Sequence, residues 1–292
     1  MGKITPFLWY DKEAKAAAAQ YTAALRNSRI HNLSVLNDTP SGDVDMVQLE
    51  LCGQPFSFMS AGPIFKFTPA ISFLVACETA AEVDAIWKAL VDGGSVLMEL
   101  GAYPFSPHYG WLMDRYGVSW QVMTATQAIA QPITPTLMFT GEQCGKAEEA
   151  MRFYTSVFGN AGMGGMMRYG KDEGPDAEGT VKHAEFRLEG QLFAAMDSAY
   201  SHGFGFTEAI SFMVSCDTQA EIDHYWDSLS AHPEAEQCGW LKDRYGVSWQ
   251  IVPSMMNTMQ QNGTPEQMAR VTEAFLKMKK FDVAALQRAY EG

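Results

Sequence analysis

The sequence predicts an α+β protein made of two tandem copies of one unit, followed by a short helical tail. Three observations carry this. One twelve-residue segment returns almost verbatim, short alternating apolar runs flank amphipathic helical stretches, and helix-start signals recur at matching places. Gly110 to Gln121 reads Gly-Trp-Leu-Met-Asp-Arg-Tyr-Gly-Val-Ser-Trp-Gln, and Gly239 to Gln250 matches it at eleven of twelve residues. Ala70-Ile71-Ser72-Phe73 returns as Ala209-Ile210-Ser211-Phe212, and Ile4-Thr5-Pro6 returns as Ile133-Thr134-Pro135. The offsets are 129, 139 and 129, so the second copy gains ten residues before its midpoint and loses ten after it. Insertions confined to connections are how a duplicated domain drifts. The expected organisation is residues 1–128, residues 129–256 and a tail over 257–292.

Each copy reads as strand, helix, strands, then strand, helix, strands. In the first copy Phe7 to Tyr10 is a strand and Lys12 to Leu25 a helix. Val44 to Leu51 alternates as a half-buried strand does, Phe56 to Met59 adds another, and Ile71 to Cys77 a further one. Thr79 and Glu82 form a capping box before the stripe Val83, Ile86, Trp87 and Leu90, one face of a helix. The second copy repeats this with Thr218 and Glu221 before Ile222, Tyr225, Trp226 and Leu229. The tail opens on Thr264-Pro265-Glu266-Gln267, with proline at the first helical position and glutamine three after the cap. Met268, Val271, Phe275 and Leu276 give that helix its apolar face, and a second short helix follows Asp282. Such a tail is expected to strap the two copies together.

The repeated strand after the Tyr-Gly turn places Val118, Trp120 and Val122 on one face and Ser119 and Gln121 on the other. Since the apolar set faces the helices, Ser119 and Gln121, and Ser248 and Gln250 in the second copy, are expected on an open face. Lys182 to Leu188 alternates too: Ala184, Phe186 and Leu188 point inward and His183, Glu185 and Arg187 oppositely. The matching residues of the first copy are Met46, Gln48 and Glu50, so the second copy has the more titratable face. A solvated strand face explains this as well as a binding site does. Between the second helix and the closing strands the first copy has nineteen residues (91–109) and the second nine (230–238). The longer stretch, with Tyr103, Phe105 and His108, suits a lid, and a packed surface loop fits it nearly as well.

Composition narrows the function. A net charge of −13, with no Lys/Arg run longer than Lys279-Lys280, argues against nucleic acid and against an anionic membrane. Apolar residues at 47% and charged residues at 19% describe an ordinary folded protein. Five scattered cysteines without a C-x-x-C pair suit reduced thiols. With no leader-like start and no apolar stretch of 18 residues, a soluble cytoplasmic protein is expected. The glycine-rich run from Gly159 to Gly165 follows a helix and precedes the strand Met166 to Tyr169, so it reads as a connection and not as a nucleotide loop.

Ile4 to Tyr10, Ala70 to Phe73 and the repeated Gly-Trp-Leu segment together resemble the PhnB-like branch of the vicinal oxygen chelate superfamily. Members of this branch often carry a demethylubiquinone methyltransferase label. The resemblance covers both copies and the tail residues Lys277 to Lys280. It implies glyoxalase-like paired βαβββ modules whose curled mixed sheets form cups, with the fused copies standing in for a homodimer. It also implies a metal held by His and Glu on cup-facing strands, yet Gln121 and Gln250 stand at the closing Glu position. No His lies in Ile4 to Tyr10, Ile133 to Phe139, Ala70 to Cys77 or Ala209 to Cys216.

A small-molecule-binding protein without the usual metal is therefore expected, with no cofactor. Its candidate ligand contacts are Gln250, His183, Glu185, Arg187, Ser248, Gln121, Ser119 and Tyr103. The i, i+2 pair His183 and Glu185 keeps a divalent metal open as an alternative. A metal-dependent lyase, isomerase or dioxygenase-like enzyme, the labelled demethylubiquinone methyltransferase activity, or an assembly protein with one vestigial cup are the other readings. The state expected is a monomer acting as a pseudo-dimer, or a homodimer.

Overall fold

The computed structural model describes residues 2–39 and 42–292. The first repeat contains β1 (Ile4–Tyr10), α1 (Ala14–Ala24), β2 (Arg29–Thr39), β3 (Gly42–Leu51) and β4 (Gln54–Ser60). It continues with β5 (Ile71–Cys77), α2 (Ala80–Val91), β6 (Ser95–Tyr103), β7 (Ser106–Met113) and β8 (Ser119–Thr124). These are two βαβββ modules in succession. The second repeat begins with a third: β9 (Ile133–Phe139), α3 (Ala147–Val157), β10 (Gly162–Arg168), β11 (Val181–Leu188) and β12 (Gln191–Asp197). Its last module is shorter, with β13 (Ile210–Cys216), α4 (Gln219–Leu229), β14 (Trp240–Lys242) and β15 (Ser248–Pro253). The tail is helical: α5 (Met255–Asn262), α6 (Pro265–Leu276) and α7 (Val283–Glu291).

The chain divides into two compact units, Lys3–Phe7 with Ser211–Gly292, and Leu8–Ile210. The larger holds an eight-stranded sheet in the order β10-β11-β12-β9-β5-β8-β7-β6. Its centre joins the repeats: β5 runs antiparallel to β9, with Ile71 opposite Leu137 and Val75 opposite Ile133. A module of the second repeat and a module of the first thus share one sheet, and the repeat boundary lies inside it. The larger unit also contains the antiparallel run β4-β3-β2. In the smaller unit β15 lies between β14 and β13, parallel to β13.

The helices form where the capping signals place them. Thr79 and Thr218 accept from the backbone N–H of Glu82 and Glu221, and Thr264 makes a full capping box with Gln267. The core follows the sequence stripes: Val83, Ile86 and Leu90 are buried, as are Ile222, Tyr225, Trp226 and Leu229. Trp87 is half-buried and lies over Gly110, where a Cβ would sit 2.4 Å from its ring.

Two expectations are corrected. The nineteen-residue stretch is no lid, because it forms the hairpin β6–β7 with Tyr103 paired to Ser106 at its tip. The ten extra residues supply strand β6, which the second copy replaces with a short turn at Pro233–Ala235. The glycine run is more than a connection, since Gly162 to Arg168 is edge strand β10 against β11. The tail has a specific seat on the second copy. Cys238 and Gly239 donate backbone hydrogen bonds to Met278 and Lys279 at 2.9 and 2.8 Å. Their counterparts in the first copy, Tyr109 and Gly110, lie beside β6, where Tyr109 pairs with Gly101. The tail therefore completes the edge that the missing strand leaves. Phe281 covers Gly239 so closely that a Cβ there would lie 2.4 Å from its ring.

Candidate functional site

The repeated Asp-Arg-Tyr-Gly-Val-Ser-Trp segment positions β8 and β15 by one device. Asp114 Oδ1 accepts the backbone N–H of Tyr116 and of Val118, at 2.9 and 3.0 Å. Its Oδ2 accepts the Trp120 indole at 2.9 Å and the Tyr21 hydroxyl at 2.5 Å. Burial raises the Asp114 carboxyl above its usual range, and the four donors pull it back. Asp243 repeats the clasp, accepting from Tyr245 N, Val247 N and the Trp249 indole. The recurrence of this motif is thus explained by folding: it locks the strand whose other face carries the Ser and Gln.

That face is buried, which corrects the expectation of an open one. Ser119 and Ser248 are 0% and 1% exposed, and Gln121 and Gln250 are 5% and 6% exposed. Side chains packed across the same face bury these polar groups and require partners for them. In the first copy the partners are complete. Tyr109 donates its hydroxyl to Gln121 Oε1 at 2.8 Å, and Gln121 Nε2 donates to Ser72 Oγ at 2.8 Å. The Trp111 indole donates to Ser119 Oγ at 2.7 Å. Burial pushes the Tyr109 phenol well up, so it stays a donor at neutral pH.

The second copy keeps half of this. Gln250 Nε2 donates to Ser211 Oγ at 2.9 Å, as its counterpart does to Ser72. The position of Tyr109 is taken by Cys238, which has no hydroxyl to give. Trp240, the counterpart of Trp111, meets Phe7 edge-on with centroids 5.4 Å apart. Ser248 Oγ is buried without a hydrogen-bond partner among the described residues, and Gln250 Oε1 accepts from none of them. Thr124 Oγ1, at the end of β8, is also buried and unpartnered, but it is not part of either Ser/Gln pair.

His183, Glu185 and Arg187 leave β11 on the face opposite Phe186, which stacks on Tyr154 of α3. Residues paired in register share a face, so Glu185, Ala194, Thr136, Ser72 and Ser119 make one row across the eight-stranded sheet. The β11 residues therefore share a sheet with Ser119 and Gln121, whereas Gln250 and Ser248 belong to the other sheet. Arg187 donates to the Gly190 carbonyl at 3.1 Å, and among the described residues it makes no ion pair with Glu185. His183 is half-buried. Its imidazole is held below its ordinary pKa by desolvation, against the pull of Glu185. Tyr103 stacks on Phe105 and meets Tyr109 edge-on, with centroids at 5.6 and 5.4 Å. It thus backs the residue that satisfies Gln121.

The donor set does not suit a chelated transition metal. Gln121, at the expected carboxylate position, has both ends of its amide committed, and a neutral amide is a weak ligand. Among the described residues no group of three or more His, Cys, Asp or Glu is placed to hold a metal. Sequence reasoning missed Tyr109, Trp111, Ser72 and Ser211. Ser72, Ser211 and Trp111 lay inside repeated segments, which was their available signal.

A profile of the 3-demethylubiquinone-9 3-methyltransferase family matches residues 2–123 and again residues 131–252. The chain is 38% identical to a putative 3-demethylubiquinone-9 3-methyltransferase, PhnB protein, from Bacillus cereus, covering 42% of this chain and 99% of that one at a TM-score of 0.40. Glyoxalase I from Zea mays aligns over 88% of this chain and 95% of its own, at 10% identity and a TM-score of 0.56. A putative dioxygenase from Bacillus subtilis aligns over 87% and 85%, at 12% identity and a TM-score of 0.50. Among curated proteins none matches. The last two likenesses show the fold alone. With both profile matches lying on the paired βαβββ pattern, the chain belongs to the 3-demethylubiquinone-9 3-methyltransferase family and carries that domain twice.

Proposed function

We propose that the protein binds a small, partly apolar molecule on the β13–β15 face of its second copy, without a chelated metal. The observation that carries this reading is the inequality of two otherwise matched polar pairs. Ser119 and Gln121 are closed by Trp111 and Tyr109, while Ser248 Oγ and Gln250 Oε1 are left open. A buried hydroxyl without a partner costs about 1–3 kcal/mol, and a ligand that bonds to it recovers that cost. Gln250 Oε1 requires a donor, and Ser248 Oγ can donate or accept, so the matching ligand edge pairs a hydroxyl or N–H with a second polar atom. Met213 lies opposite Gln250 on β13, and Trp240 opposite it on β14, giving the pair an apolar frame.

The test is to release small molecules from purified protein with organic solvent and identify them by mass spectrometry. Ser248→Ala with Gln250→Leu should lower the retained compound by about tenfold, the loss of one or two hydrogen bonds, while Ser119→Ala retains it. Equal retention by the double variant and the wild type would refute the assignment. Elemental analysis of the same sample addresses the metal-dependent alternative: stoichiometric zinc, nickel or iron that is lost in His183→Ala would support it over ours.

A further inference from the structure

The first copy contains a cavity of about 340 Å³, lined by residues that the Ser/Gln site does not use. Its walls include Trp9, Phe65, Phe67 and Tyr116, with Asp11 and Glu13 beside them. The rings do not stack. Trp9 and Phe65 lie 5.1 Å apart at 80°, Tyr10 and Phe67 5.0 Å apart at 64°, and Tyr10 and Tyr116 6.2 Å apart at 83°. Rings set near right angles make adjoining walls of a box. The box is held in place, since the Trp9 indole donates to the Gly62 carbonyl at 2.8 Å.

We propose that this aromatic box binds a small alkylated ammonium ion. Aromatic faces attract cations through the ring quadrupole, and best of all attract large, weakly hydrated ones such as quaternary ammonium groups. Asp11 and Glu13 add negative charge, and among the described residues neither makes a salt bridge. Lys66 also lines the cavity, yet the cation–π contacts in the described residues are elsewhere, Lys3 over Tyr225 and Lys182 over Tyr169. The duplication supplies an internal comparison. At the positions of Trp9 and Asp11 the second copy has Met138 and Thr140, and Thr140 Oγ1 donates to the Phe204 carbonyl at 2.6 Å. Phe204 and Phe206 match Phe65 and Phe67, so the loop is shared while the indole and the acid belong to the first copy.

The experiment compares choline with 3,3-dimethyl-1-butanol, its neutral isostere, by ligand-observed NMR titration of the full chain. Choline should saturate a single site, and the isostere should bind weaker by on the order of tenfold, because shape is matched and charge is not. Asp11→Asn with Glu13→Gln, the first exposed and the second half-buried, should weaken choline severalfold, and Trp9→Leu should abolish saturation. Equal binding of the two probes, no saturable choline binding, or a double variant as tight as the wild type would each overturn the proposal. The Ser248→Ala, Gln250→Leu variant should bind choline as the wild type does, which separates this site from the one on the second copy.

Discussion

At the scale of single residues, the two Ser/Gln pairs show how identical sequence acquires different chemistry from its neighbours. Gln121 has a donor that a twelve-residue comparison cannot reveal, because Tyr109 lies just outside the repeated segment. Gln121→Leu should destabilise the protein by about 2 kcal/mol, since it strands the Tyr109 hydroxyl as a buried donor. Gln250→Leu should cost less, because its Oε1 accepts nothing from the described residues. Urea midpoints of the two variants measure the contrast, and an equal loss contradicts the asymmetry. His183 offers a pH test. Its folded pKa lies below the unfolded one, so between the two values the unfolded chain holds more protons, and stability rises with pH through that window. The wild type should therefore lose stability as pH falls below about 6.5, levelling off beneath the folded pKa, and His183→Asn should remove that slope. Denaturation at pH 5 and pH 7 reads it directly.

At the scale of elements, the capped helices and alternating strands were legible because their signals are local. Thr79, Thr218 and Thr264 mark helix starts that sequence alone identifies; the stripes behind the first two are buried except for half-buried Trp87, and behind the third Val271 is buried while Met268, Phe275 and Leu276 are half-buried. Strand β6 was not legible. Ser95 to Tyr103 is irregularly exposed, and its pairing with β7 shifts register three times, so no clean alternation marks it. The buried state of the Ser/Gln face was equally hidden: alternation assigns a side, and only the assembled sheet decides whether that side is wet. The tail's place beside Cys238 and Gly239 is a long-range pairing that no local pattern encodes. It leads to a prediction. Removing residues 277–292 should expose the β14 edge and uncover Gly239, lowering the melting temperature and loosening the second copy first. Hydrogen exchange should then show faster exchange in β14 and β15 than in β5 and β8. Unchanged protection in β14 would mean that the tail is an appendage.

At the scale of the whole molecule, the question is why a duplicated chain has remained fused. The eight-stranded sheet gives a physical answer, because its central seam is the β5–β9 pairing between the repeats. Beyond the register pairs, Met138 N donates to Ala70 O at 2.7 Å and Ala76 N to Pro132 O at 2.9 Å. A first repeat expressed alone, residues 1–128, would leave β5 without that neighbour. The strand is nearly all apolar, with Ile71, Phe73, Val75 and Cys77 buried in the full chain. Its exposed edge would present unpaired N–H and C=O groups beside apolar surface, an invitation to pair with another chain. The chain supplies a substitute: β1 carries the same Ile-Thr-Pro opening as β9, so β1 of a second copy can occupy the vacant place. The isolated first repeat should therefore form a homodimer, or aggregate where that exchange fails. Size-exclusion chromatography with light scattering decides the matter. A stable, soluble monomer of residues 1–128 would show that the seam is dispensable and that each repeat folds as a self-sufficient domain. A dimer that Phe73→Asp dissociates into unfolded chains would place the seam at the centre of the fold, because the charge would then be buried in the strand that both partners need.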